Sequence, residues 1–181
     1  VPSIMQTTND GETYYNPRIL TAINDAAVSF GFKGITQKSW NWDVSLVTGK
    51  NDFQYFGDKT FNASLIGNTS KTYFIDGGFR FRQATLNIDL SKNFKSIAKG
   101  LNIGYGFEYR NEKYGINKGE EASYSNYDPN GVQGSGSQGF PGFSPSDVVD
   151  AKRNSLSVYL DGELNVTHKW LVDAAVRAEN Y

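Results

Sequence analysis

The sequence predicts an all-β protein, an antiparallel meander of about six long strands, and three observations lead to this fold class. The chain is rich in Tyr, Phe and Gly and poor in Met (11 Tyr, 12 Phe, 19 Gly, 1 Met), a composition that favours strands and turns over helices. Apolar and polar side chains alternate with a period of two along six segments. The connections between these segments alternate between short and long.

Length, charge and composition exclude several kinds of site. With 181 residues, the chain is one domain or a piece of a larger one. Eighteen Lys and Arg against 19 Asp and Glu give a net charge of −1, which lacks the basic excess of a nucleic-acid binder. The chain has no cysteine, which excludes disulfides, thiol nucleophiles and Cys-zinc sites. The single histidine, His168, excludes a multi-histidine metal site, and no cofactor is implied.

The beginning of the chain predicts one short helix. Asn16 is a capping residue, and Pro17 suits the first helical position. Apolar side chains follow at helical spacing, at Ile19, Leu20, Ile23 and Ala27. The sequence has neither a charged-then-apolar leader nor an apolar run as long as a transmembrane helix. Any export signal is therefore expected to have been removed or to lie outside this sequence.

The clearest strand signal covers residues 101–110. Apolar Leu101, Ile103, Tyr105, Phe107 and Tyr109 alternate there with Asn102, Gly104, Gly106, Glu108 and Arg110. A helix would mix both sets on every face, so this segment predicts a strand with one apolar face and one polar face. The same alternation predicts five further strands, with apolar positions at Val28, Phe30 and Phe32, at Trp40, Trp42, Val44 and Leu46, at Leu86, Ile88 and Leu90, at Leu156, Val158, Leu160 and Leu164, and at Trp170, Val172, Ala174 and Val176. Its phase shifts near Gly49 and Gln83, as at a β-bulge or where a strand leaves its apolar surroundings.

The lengths of the connections indicate a membrane protein. Short links are predicted at residues 36–39, 95–100 and 165–169, and long loops at residues 57–76 and 117–153. Transmembrane β-barrels have short periplasmic turns and long extracellular loops, and the predicted strands exceed the length of about 5–6 residues usual in soluble sheets. The second loop is dominated by Gly, Pro and Ser from Pro129 to Ser146, so no packed core is expected there.

Four segments resemble the barrel of TonB-dependent outer-membrane receptors. They are DGGFRFRQATLNIDLSK at 76–92, LNIGYGFEYRNEK at 101–113, GFPGFSP at 139–145 and KWLVDAAVRAENY at 169–181. The resemblance implies a bacterial outer-membrane barrel of 22 strands, plugged by an N-terminal domain of the same protein and energised by a periplasmic partner. The sequence contains no plug domain, no energy-coupling box and no terminal barrel strand, so it is interpreted as a fragment from the middle of the barrel.

Two groups of residues are candidate substrate contacts. Tyr124, Tyr127, Phe140 and Phe143 lie among small and polar residues of the second long loop. Aromatic rings on a loop can hold sugars or chelates by stacking and edge hydrogen bonds; alternatively, the loop folds over its own aromatics. Glu108 and Arg110 belong to the polar faces, which would point into the lumen. The polar side chains of these faces are expected to pair with each other or with the plug. They are Asn87, Asp89, Glu108, Arg110, Asp161, Glu163 and Arg177.

The remaining candidates have simpler interpretations. His168 is expected to be a solvated turn residue. Glu120, Glu121, Asp147 and Asp150 flank the second loop but lack the spacing of a calcium loop. The Asn-x-Ser/Thr triplets at Asn62, Asn68 and Asn165 are expected by chance in an Asn-rich chain. Trp40, Trp42 and Trp170 lie beside short turns, as in the aromatic girdle of a barrel, although a soluble sheet could also pack them in its core.

Three functions compete. The leading hypothesis is a segment of a non-enzymatic outer-membrane transporter that imports a scarce nutrient, such as a siderophore or a glycan, in contact with outer-membrane lipid. The second is a soluble β-sandwich that acts as a glycan-binding or adhesin module. The third is an outer-membrane hydrolase that uses a serine with His168, for which the turn offers Thr167 and the nearby Asp161 and Glu163. Strand length and the asymmetry of the loops favour the transporter.

Overall fold

The computed structural model describes residues 16–65 and 70–181. Six strands form a single sheet in the order β1-β2-β3-β4-β5-β6, so that each strand pairs with its neighbours in sequence. This confirms the predicted meander. The strands are β1 Arg18–Ile35, β2 Asn41–Asp58, β3 Tyr73–Phe94, β4 Leu101–Lys118, β5 Val149–Asn165 and β6 Leu171–Asn180. β5 and β6 run antiparallel, with Leu156 opposite Asn180 and Asn165 opposite Leu171.

The prediction of a helix before the first strand is wrong, because strand β1 already begins at Arg18. Two of the four apolar residues at helical spacing are β-branched isoleucines, Ile19 and Ile23, which fit a pleated sheet better than a helix. Pairing with β2 decides the conformation, and Asn51 Nδ2 donates to Asp25 Oδ1 at 2.5 Å. Backbone pairing with a neighbouring strand thus overrides the local spacing.

The connections alternate between short and long as predicted, and the two long loops are shorter than predicted. Three short turns cover residues 36–40, 95–100 and 166–170, whereas the two long loops cover residues 59–72 and 119–148. The second long loop contains the short helix α1, Glu121–Tyr124, and a 3-10 turn, Pro145–Asp147. β2 and β3 continue as single strands through Gly49 and Gln83. No helix in the described residues is long and apolar enough to cross a membrane.

The chain divides into two compact units. The loop unit contains the described parts of Val1–Asp25, Lys50–Phe81 and Tyr114–Ala151, and therefore both long loops. The turn unit contains Ala26–Gly49, Arg82–Lys113 and Lys152–Tyr181, and therefore the three short turns.

The described residues bury almost no apolar side chain. Phe74 is the single fully buried hydrophobic residue among them. In the turn unit, large apolar side chains are exposed instead, including Phe30 at 62%, Phe32 at 63% and Val176 at 63%. A soluble sandwich packs one face of each sheet against a second sheet. This sheet leaves its apolar face uncovered, which is the arrangement that lipid-facing strands require.

Candidate functional site

A charged network lies on the polar face of the turn unit. Glu108 Oε1 accepts from Arg110 Nη2 at 2.5 Å and from Arg177 Nη2 at 3.0 Å. Arg177 Nη2 also donates to Ser157 Oγ at 2.7 Å. Arg110 Nε is buried without a hydrogen-bond partner among the described residues. Glu108 and Arg110 therefore lie together, as the alternation predicted.

A second polar contact joins two strands that are not neighbours. Tyr159 Oη on β5 donates to Asp89 Oδ1 on β3 at 2.7 Å, over the intervening strand β4. Gly106 on β4 makes room for this contact, since a Cβ at that position would lie 2.4 Å from both Asp89 Oδ1 and Tyr159 Cε1. Asp89, a member of the predicted lumen-facing set, thus bonds to Tyr159 on the same polar face. The Tyr159 ring therefore fills the space above Gly106.

The phenylalanines of the second long loop pack against strand aromatics in the loop unit. The Phe140 ring centre lies 5.2 Å from that of Tyr55, and the Phe143 ring centre lies 5.3 Å from that of Phe79. The two phenylalanine rings are 6.0 Å apart in an edge-to-face arrangement. Both side chains are half-buried. The loop therefore folds over aromatic rings, which was the packing interpretation of its sequence, and each ring still has an accessible part.

The two loop tyrosines are placed differently. Tyr124 ends helix α1, and its side chain is half-buried. Tyr127 is 38% exposed, and its backbone N–H donates to Ser64 Oγ of the first long loop at 2.9 Å. Desolvation, reinforced by the nearby Glu121, raises the pKa of Tyr127. The structure thus presents Tyr127 on the surface of the loop unit.

Asn62 connects the two long loops, and the sequence analysis missed this role. Its Nδ2 donates to the carbonyl oxygens of Ala122 and Ser125, both at 2.9 Å. Its Oδ1 accepts from the backbone N–H of Ser64 at 3.0 Å and from Ser64 Oγ at 2.6 Å. Asn62 is 1% exposed. The sequence offered only a glycosylation triplet at this position, and burial makes this asparagine unsuitable for such a modification.

The Gly-, Pro- and Ser-rich stretch was expected to form no packed core, and the structure shows hydrogen-bonded contacts between its backbone segments instead. Ser137 is fully buried, and its Oγ contacts Asp76 Oδ1 at 3.3 Å and the carbonyl oxygen of Phe140 at 2.7 Å. A Cβ at Gly142 would lie 2.0 Å from Ser123 Oγ. Small residues let backbone segments approach closely, so this loop packs through hydrogen-bonded backbone rather than through large apolar side chains.

Asp76 is buried beneath the second long loop. Its side chain is fully buried, Oδ2 has no hydrogen-bond partner among the described residues, and its carbonyl oxygen accepts from the Phe143 N–H at 2.8 Å. Burial raises the pKa of Asp76 to about 6, opposed by the hydrogen bond from Ser137. β3 continues to Phe94, and a tilted strand crosses a bilayer in about 9–11 residues. Asp76 therefore lies outside the part of β3 that would span a membrane beside the short turn.

The other predicted candidates have local roles. His168 is exposed in the last short turn. Glu120 pairs with Lys71 at 2.5 Å and accepts from the Ile75 N–H at 2.8 Å, and Asp147 caps the 3-10 turn through Ser144. Trp40 packs against Phe94 and Tyr105, whereas Trp170 is 71% exposed. Within residues 16–65 and 70–181, no group of three or more His, Asp or Glu could hold a metal ion.

The comparison with protein families decides the class of this chain. The family model described as TonB dependent receptor-like, beta-barrel matches residues 3–181. The chain belongs to the TonB-dependent receptor family. No curated protein and no solved structure matches it.

Family membership agrees with the geometry. TonB-dependent receptors are transporters and receptors of the bacterial outer membrane rather than enzymes. The single sheet with an exposed apolar face and a bonded polar face is a segment of such a barrel. The family also implies a plug domain, an interaction with TonB and a bound ligand. The soluble sandwich would require a buried apolar face that the described residues do not form.

Proposed function

We propose that this TonB-dependent receptor segment belongs to an active importer of a scarce nutrient, such as a siderophore or a glycan. The proposal includes a barrel of 22 strands, an N-terminal plug domain of the same protein and a periplasmic energy-coupling partner. The uncovered apolar face of the turn unit carries the argument, since exposed residues such as Phe30 and Val176 require lipid around the sheet.

The substrate contacts are assigned to two separate groups. In the loop unit, Tyr124, Tyr127, Phe140 and Phe143 offer aromatic surface, with Tyr127 the most accessible hydroxyl. In the turn unit, Glu108 and Arg110 offer polar contacts, since their side chains remain 18% and 27% exposed. Long loops of outer-membrane barrels are extracellular, so the aromatic group is proposed to meet the substrate first.

Uptake by intact cells tests the transport function. Cells with the full-length receptor are supplied with a radiolabelled ferric siderophore or a labelled oligosaccharide, with and without the gene for the energy-coupling protein. We expect accumulation of one of the two probes, and loss of that accumulation in the deletion strain. Accumulation that is unchanged in the deletion strain would contradict energy coupling.

Tyrosine variants test the contact assignment in the same assay. Replacing both Tyr124 and Tyr127 by Ala should reduce uptake roughly tenfold, since aromatic contacts contribute about 0.5–1.5 kcal/mol each. The matched control replaces both by Phe, which keeps the rings and removes the hydroxyls. Equal uptake by the Ala and Phe variants would mean that these rings do not contact the substrate.

A further inference from the structure

A depression opens on the apolar side of the turn unit, beside the first short turn. Its volume is about 440 Å³, and its lining consists of Thr36, Gln37, Lys38, Trp40, Leu90 and Tyr105. Trp40, Leu90 and Tyr105 are apolar positions of their strands in the two-residue alternation. The depression therefore belongs to the face that carries the exposed apolar residues, and not to the face that carries the charged network.

The walls of the depression are aromatic, and a lysine lies over them. The Trp40 ring centre is 5.6 Å from that of Tyr105 and 6.2 Å from that of Phe94. Lys92 Nζ lies 5.7 Å from the Trp40 ring centre and 5.1 Å from the Phe94 ring centre. Among the described residues, neither Lys92 nor Lys38 forms a salt bridge. Lys38 thus lines the depression and Lys92 lies over its Trp40 wall, and neither has a carboxylate partner among the described residues.

The turn beside the depression is held by its own hydrogen bonds. The Thr36 N–H donates to the carbonyl oxygen of Trp40 at 2.8 Å, and the Ser39 N–H donates to that of Thr36 at 2.9 Å. Thr36 Oγ1 accepts from the Trp40 N–H at 3.1 Å. These bonds fix the backbone from Thr36 to Trp40, so little conformational entropy is lost there when a ligand binds.

The short turns at this side carry one sign of charge. The three short turns contain four lysines and no Asp or Glu: Lys38, Lys95, Lys99 and Lys169. The second long loop has the opposite composition, with four acidic residues and no Lys or Arg: Glu120, Glu121, Asp128 and Asp147. A basic border beside an apolar, aromatic-lined surface complements an anionic headgroup attached to an acyl chain.

We propose that this depression binds one phospholipid, with the headgroup phosphate at Lys38 and Lys92 and the acyl chain along Trp40, Leu90 and Tyr105. The inference rests on the proposed function, which places the short turns at the periplasmic side of an outer membrane. Long lysine side chains can keep their stems on apolar surface while the ammonium group reaches the headgroup level. A free phosphate would leave the apolar walls exposed to water, which is why the lipid is the assigned occupant.

Site-directed quenching tests the proposal in the full-length receptor. A cysteine replaces Gln37 as the sole cysteine, carries a bimane label, and reports on lipid within contact distance. The receptor is reconstituted in phosphatidylcholine vesicles with a tenth of the lipid as phosphatidylglycerol, and either lipid is brominated in its acyl chains. We expect brominated phosphatidylglycerol to quench well beyond its share of the bilayer. The matched lysine variants are Lys38→Gln, Lys92→Gln and, as the control on the polar face, Lys33→Gln.

Each result has a separate meaning. The preference for phosphatidylglycerol should fall roughly fivefold for each lysine removed from the depression, as expected for about 1 kcal/mol per basic residue at an anionic surface, and should persist in Lys33→Gln. Quenching in proportion to bulk composition would overturn the lipid site but keep the membrane assignment. Loss of the preference on addition of inorganic phosphate would also overturn it, in favour of a free anion. If neither brominated lipid quenched the label, the membrane assignment of the proposed function itself would fail.

Discussion

The hydroxyl of Tyr159 donates to Asp89 at 2.7 Å across a strand that separates the two residues in the sheet. The bond passes over Gly106, where a Cβ would lie 2.4 Å from Asp89 Oδ1 and from the Tyr159 ring. The glycine on β4 and the bond between β3 and β5 therefore depend on each other.

Replacing Gly106 by Ala should destabilise the turn unit, because the added methyl group must displace the Tyr159 ring or the Asp89 carboxylate. The expected loss is about 1–3 kcal/mol, as for overpacking of a tight site. Gly104→Ala is the matched control, since its Cβ would meet only Asp161 Cβ, at 3.9 Å. Urea unfolding of the reconstituted receptor gives the comparison, and equal stability of the two variants would contradict this account.

Ile103→Arg should impair assembly of the full-length receptor, whereas Asn102→Arg should be tolerated or should alter transport alone. The alternation places Ile103 on the apolar face and Asn102 on the polar face of β4, and an arginine facing lipid at the bilayer midplane costs about 2–4 kcal/mol. The amount of receptor in isolated outer membranes measures assembly.

Cysteine scanning gives an independent measure of which side chains face lipid. Labels at Ile103 and Tyr105 should be quenched by a lipid-soluble quencher, and labels at Asn102 and Gly104 should not. The reverse result would show that the two faces are assigned the wrong way round.

Asn62→Ala should separate the two long loops from each other. The change removes two hydrogen bonds to the carbonyl oxygens of Ala122 and Ser125 and leaves those buried groups unpaired, at a cost of about 1–3 kcal/mol for each unsatisfied group. Limited proteolysis of intact cells should then cut the second loop faster than in the parent. Asn130→Ala, in the same loop and exposed, should leave the cleavage rate unchanged; an equal increase in both variants would disprove the role of Asn62.

The packing of the second loop should weaken as the pH rises. Burial raises the pKa of Asp76 from 3.8 to about 6, so the folded state binds more protons than the unfolded state between these values. The stability contributed by the neutral carboxyl is therefore present at low pH and lost as the pH rises to about 6. Hydrogen exchange at the Phe143 N–H, which bonds the Asp76 carbonyl, should show greater protection at pH 5 than at pH 7.5 after correction for intrinsic rates.

Asp76→Asn provides the control for this pH dependence. It keeps the shape of the side chain and removes the ionisable proton, so protection should become the same at both pH values. The neighbouring charges, Lys71 and Glu120, remain in place in this variant. A pH dependence that persists in Asp76→Asn would assign it to another group.

The carboxylate of Asp128 offers a second pH test, in the opposite direction to that of Asp76. Backbone N–H bonds from Asn130, Gln133 and Val132 lower the pKa of Asp128. A carboxylate with a lowered pKa stabilises the fold above its ordinary value of 3.8, and that contribution is lost as the pH falls through the lowered pKa. Acid titration of the Val132 N–H by exchange should therefore show loosening of this turn below about pH 4, and Asp128→Asn should remove the transition.

Much of the sheet was predictable because a strand imposes its period of two on each residue locally. Residues 101–110 show this, since the structure places Tyr105 with Trp40 and Gly106 with Asp89, on opposite faces. The first half of β1 was not predictable from its own spacing, because pairing with β2 decides it. The pairing of Glu108 with Arg110 followed from the shared face.

The loop unit was harder to predict because its contacts are distant in sequence. Asn62 bonds Ser125, and Ser137 bonds Asp76, through small polar groups that have no periodic pattern. Phe140 and Phe143 were identified as candidate contacts from their residue type alone. Their packing on Tyr55 and Phe79 depends on how the loop folds, which composition does not reveal.

The hydrogen bonds of Asn62 also set the size of the piece that can be exchanged between receptors. Because Asn62 in residues 59–72 is satisfied by backbone in residues 119–148, neither loop carries its own complete set of partners. A chimaera that receives the second loop alone would lack Asn62, which bonds the carbonyl oxygens of Ala122 and Ser125. To transfer the specificity of this receptor to another barrel, residues 59–72 and 119–148 must therefore be transferred together. Natural recombination between relatives would preserve function best when both segments are exchanged in the same event.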